Sequence, residues 1–77
     1  MKPLSALPMG ERATVISVVG RGTLARRMRD FGLIFGTEIT PLHRAPFGDP
    51  IAYLIRGAVI ALRRKDAEKI LVSPVKQ

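Results

Sequence analysis

The side chains able to do chemistry are few. A nucleophile and its base would have to come from one histidine, His43, and three serines, Ser5, Ser17 and Ser73, since the chain has no cysteine. Nucleophilic catalysis needs a nucleophile, a base beside it and a third group to orient that base. His43 falls in a predicted strand next to Arg44 and reads as an ordinary strand histidine. The six carboxylates, Glu11, Asp30, Glu38, Asp49, Asp66 and Glu68, are scattered along the chain. Only His43 and Asp49, flanking one predicted hairpin, could approach each other. Two ligands make a weak surface metal site, because a stable one usually takes three or four protein ligands. Gly20-Arg21-Gly22 lacks the third glycine of a dinucleotide fingerprint, and no Gly-Lys-Ser/Thr follows any glycine run. The residues thus point away from an enzyme, and no cofactor is expected.

Charge is the stronger signal. The formal net charge is +7, a field that draws the protein toward acidic surfaces of protein, nucleic acid or lipid. Arg26, Arg27 and Arg29 cluster in one segment, and Arg63-Arg64-Lys65 in another. Nucleic acid is disfavoured as the partner because the chain has no tryptophan, one tyrosine and three phenylalanines, too few for a base-stacking platform. The same scarcity argues against a groove for PxxP peptides.

The elements that must position these groups are short. The chain has 77 residues, so one domain is expected over 1–77 with its core at about 4–73, near the size at which a single core barely suffices to fold. The prolines in Met1-Lys2-Pro3-Leu4-Ser5-Ala6-Leu7-Pro8 break any continuous apolar run of the signal-peptide kind. No stretch approaches the ~20 apolar residues of a membrane-spanning helix. A cytoplasmic location is expected. Leu4 and Leu7 are placed to fold back onto the core around a turn at Ser5.

Thr14, Val15, Ile16, Val18 and Val19 make residues 12–19 a strand, ended by Gly20-Arg21-Gly22. From Thr23 to Phe31 the period changes: Leu24, Met28 and Phe31 share one helical face. Gly32 is placed as a left-handed helix stop, with Leu33 making the closing contact. Residues 37–44 form a second strand, which Pro41 restricts to an edge or a bulge. Pro46-Phe47-Gly48-Asp49-Pro50 turns the chain into a strand at 51–55, and the tight turn Arg56-Gly57-Ala58 leads into another at 59–63. A single helical turn at 65–69 precedes a last strand at 70–72, and the final three residues are expected to fray. The expected fold is mainly β: a small closed SH3-like barrel of about five strands, with one inserted short α-helix and a helical turn before the last strand.

Several of these segments together resemble the FeoA family of ferrous-iron-transport proteins. They are Gly10-Glu11-Arg12, Arg26-Arg27-Met28-Arg29-Asp30-Phe31-Gly32-Leu33, Gly36-Thr37, Pro46-Phe47-Gly48-Asp49-Pro50, Tyr53, Ile60-Ala61-Leu62-Arg63, Ala67 and Ile70-Leu71-Val72. The ordered set carries the resemblance rather than any single member. Phe35 stands where relatives tend to carry proline. The resemblance implies a non-enzymatic cytoplasmic accessory protein that docks on FeoB, a membrane ferrous-iron permease with a cytosolic GTPase domain, and that meets the membrane only through that partner. The alternative is a small basic module that binds nucleic acid or senses metal.

The inserted helix is the natural docking face, because barrel closure does not require it. Arg26, Arg27 and Arg29 would steer an acidic partner, with Met28 the apolar anchor if it is exposed. In the competing arrangement Leu24, Met28 and Phe31 all face the core, which is preferred for Leu24 and Phe31. A second contact is expected at Phe47 on the hairpin tip, unless that ring caps the barrel end.

Overall fold

The structure, a computed structural model, describes residues 1–19, 23–30, 32–33 and 35–75, with the side chains of 23–25 left out. The expected turn at Gly20-Arg21-Gly22, the core placement of Leu24 and Phe31, and the fraying of Lys76 and Gln77 lie outside the described residues.

Among the described residues six strands form one antiparallel sheet: β1 Lys2–Pro3, β2 Ala13–Val18, β3 Glu38–Arg44, β4 Ile51–Ile55, β5 Ala58–Leu62 and β6 Ile70–Pro74. A 3-10 turn occupies Leu4–Ala6, helix α1 spans Thr23–Asp30 and helix α2 spans Arg64–Ala67. The spatial order is β1-β6-β2-β3-β4-β5. The mainly β architecture, the inserted helix and the helical turn before the last strand agree with the sequence reading.

Two points differ. β1 was not anticipated, because two residues carry no period; Lys2 and Pro3 are strand only through pairing with Val72 and Leu71. Among the described residues the ladder ends at β1 and β5, so the sheet wraps its core without removing its edges. Pro41 agrees with its expected restriction to an edge or a bulge: it lies at the bulge between Pro41 and His43, on a central strand. It is tolerated because β2 pairs with β3 only at Ala13↔Ile39 and Thr14↔Glu38, so no ladder partner needs the amide that proline lacks. Its carbonyl instead accepts the Gly10 N–H at 2.7 Å.

Leu4, Leu7, Val15, Met28, Leu33, Ile39, Ile51, Tyr53, Ile55, Ile70 and Val72 belong to one buried cluster. Alternation decides which side chains reach it. In β4, Ile51, Tyr53 and Ile55 point inward, while Ala52 and Leu54 point outward.

Helix α1 ends as its sequence dictates. Gly32 has φ +85°, its N–H donates to the Arg29 carbonyl at 2.9 Å, and the Leu33 N–H donates to the Met28 carbonyl at 2.9 Å. This is the paired Schellman arrangement, with buried Leu33 as its apolar closing residue. The Thr37 hydroxyl donates to the Gly32 carbonyl at 2.9 Å, tying the helix end to the start of β3. An added Cβ at Gly32 would lie 3.0 Å from Arg56 Cδ, a contact that the flexible arginine can relieve, whereas the positive φ cannot be relieved. Gly32→Ala is therefore expected to lower stability by about 1–2 kcal/mol, seen as a lower urea midpoint with an unchanged m-value.

Candidate docking surface

Helix α1 divides its residues sharply. Arg26, Arg27, Arg29 and Asp30 are exposed, while Met28 is 1% exposed and belongs to the core cluster. The condition for Met28 to act as an anchor is not met: the helix needs an apolar residue to hold it to the barrel, and Met28 fills that place. Three guanidinium groups remain on the solvent side, two of them, Arg27 and Arg29, in the last turn of the helix, where positive charge is favoured by the helix dipole.

Two aromatic rings lie in turns. Phe47, between β3 and β4, is 99% exposed, so it does not cap the barrel end. Its loop is held below the tip by the Gly48 N–H donating to the Ala45 carbonyl at 2.7 Å and the Ala45 N–H donating to the Pro50 carbonyl at 3.0 Å. Phe35, in the turn that leaves α1, is 77% exposed. Sequence reasoning did not single it out as a contact, although a large apolar ring between Gly32 and Gly36 was the available signal. An exposed ring on a turn presents apolar area to a partner. The basic helix is thus followed by an exposed aromatic residue other than the one expected.

Asp49 has a structural task. Its Oδ1 accepts the Arg64 N–H at 2.8 Å, satisfying a free amide at the start of α2 from 15 residues away. His43 lies exposed on β3 opposite Ala52. Among the described residues no three histidine, cysteine or acidic side chains converge on a point where a metal could sit. The ion pairs Arg12–Glu38 at 3.8 Å and Arg64–Glu68 at 4.0 Å are solvent-exposed and add little to stability. No described helix is long and apolar enough to cross a membrane.

The FeoA domain profile matches residues 2–74. Over 69 residues the chain is 41% identical to an Fe(2+) transport protein A/Fe(2+) transporter FeoB fusion protein of Porphyromonas gingivalis; the match takes in 90% of this chain and 8% of that protein. The solution structure of the FeoA protein of Chlorobium tepidum is similar at a TM-score of 0.90 and 39% identity, over 96% of this chain and 70% of that one. The crystal structure of Stenotrophomonas maltophilia FeoA complexed with zinc, described as a prokaryotic SH3 domain protein, is similar at a TM-score of 0.84 and 30% identity, over 95% and 91% of the two chains. The fold is accordingly SH3-like. The zinc belongs to that complex; in this chain Asp49 Oδ1 is engaged by the Arg64 amide.

Proposed function

We propose, because this chain belongs to the FeoA domain family, that it serves ferrous-iron uptake as a non-enzymatic accessory protein docking on the cytosolic region of a FeoB permease. The observation that carries the reading is the fusion relative, in which a segment 41% identical to this chain shares one polypeptide with a FeoB transporter. Covalent linkage holds two modules at high effective concentration, the arrangement expected of modules that act on one another. Arg26, Arg27 and Arg29 steer the encounter, Phe35 supplies the apolar anchor, and Phe47 offers a second contact.

The test is a calorimetric titration of this protein against the cytosolic region of FeoB from the same organism, at low and moderate salt. Saturable binding is expected to survive moderate salt, to weaken about tenfold in Phe35→Ala and to associate several-fold more slowly in Arg27→Glu. A lack of binding at either salt concentration would overturn the proposal. Binding to nucleic acid with a steep loss of affinity on adding salt would favour the basic-module alternative.

A further inference from the structure

The two ends of the sheet are treated differently. β1 is two residues long and carries Lys2 and Pro3, so length, charge and a missing amide all protect that edge. β5 has five residues, Ala58-Val59-Ile60-Ala61-Leu62, with no charge and no proline, in unbroken register with β4. Among the described residues β5 is paired on one side only, and no turn or loop backbone hydrogen bond reaches residues 58–62. Half of its amides and carbonyls therefore face outward, as at any open edge.

The side chains favour pairing. Ile60 and Leu62 pair with the inward-facing Tyr53 and Ile51, whereas Val59 and Ala61 pair with the outward-facing Leu54 and Ala52. Val59 is 62% exposed and Leu54 lies across from it, giving an apolar strip that continues to the open edge. A β-branched side chain on an added strand would extend this strip.

Charge decides the occupant. Exposed Arg56 precedes the strand, and exposed Arg63, Arg64 and Lys65 follow it. In an antiparallel pairing of two copies centred on Ile60, Arg56 of each copy would face Arg64 of the other, and like charges so placed are destabilising. An incoming segment with acidic residues at its ends meets complementary charge at both. We propose that β5 is a strand-addition site for an extended segment of a partner protein, β-branched in its middle and bearing Asp or Glu at each end. This strand-addition site is independent of the permease reading, since the open edge, the apolar strip and the flanking cations suffice for it.

The test uses the full chain, isotope-labelled for NMR, and a capped peptide of alternating valine and threonine with two glutamates at each end. Saturable shifts and slowed amide exchange are expected in Ala58–Leu62. Affinity is expected to fall about tenfold or more when lysines replace the glutamates and in Val59→Asp, a substitution at an exposed position that the fold tolerates. N-methylation of the peptide's edge-facing amides should abolish binding. The proposal is overturned if millimolar peptide leaves β5 unperturbed, if the N-methylated peptide binds equally well, or if the protein alone dimerises with the same amides protected, which would make a second copy the occupant.

Discussion

Met28→Ala is expected to lower the stability of the fold by about 2–4 kcal/mol, the range for truncating a buried methionine-sized side chain and leaving a partly unfilled cavity. Met28 is the described side chain by which α1 enters the core, and its carbonyl accepts the Leu33 N–H that closes the helix. Truncation therefore removes buried apolar surface and loosens the element that presents Arg26, Arg27 and Arg29. Urea unfolding followed by circular dichroism measures the loss. Met28→Leu, similar in volume, should cost less than about 1.5 kcal/mol and leave docking intact. Were Met28→Ala to retain full stability while losing partner affinity, the residue would be an exposed anchor after all and the burial of this helix face would be wrong.

The second large effect is alkaline. Tyr53 is 0% exposed, and its hydroxyl has no hydrogen-bond partner among the described protein atoms. Burial pushes its pKa up from 10.0 to about 12, with Arg44 pulling modestly the other way. Below pH 10 the phenol is protonated in both folded and unfolded chains and has no influence on the pH dependence. Between pH 10 and about 12 the unfolded chain releases this proton while the folded one retains it, so stability falls as pH rises. The full loss is on the order of 2–3 kcal/mol at 1.36 kcal/mol per pH unit. Arginines and lysines respond in the same range, so the measurement is a difference: wild type and Tyr53→Phe unfolded in urea at pH 8 and at intervals up to 12. Tyr53→Phe should be neutral or up to about 1 kcal/mol more stable at pH 8, because it removes an unpartnered buried hydroxyl, and its advantage should widen above pH 10. Parallel pH profiles for the two proteins would show that the hydroxyl reaches solvent.

The features legible in the sequence were those governed by local sterics. A β-branched run made β2; Gly32-Leu33 ended α1 because few residues other than glycine tolerate a left-handed backbone; Arg56-Gly57 formed a two-residue turn with φ of +52° and +80°. Each signal lies within a few residues and needs no distant partner. The periodicity of α1 likewise placed Met28 on the apolar face.

Whether that face was covered was a tertiary matter, because burial depends on segments far away in the chain. The same holds for Phe35 and Phe47, whose rings are exposed because no described element passes over their turns. Asp49 looked like half of a metal pair until the fold brought the Arg64 amide to it. Pro41 sits at a bulge, one of the two places its missing amide allows, but the gap in the β2–β3 ladder that accommodates it on a central strand is a tertiary matter. β5 looked sealed until the strand order left it terminal. Short-range backbone preference thus determined the longer elements and where they stop, while long-range packing made β1 a strand and decided which surfaces remain available to a partner.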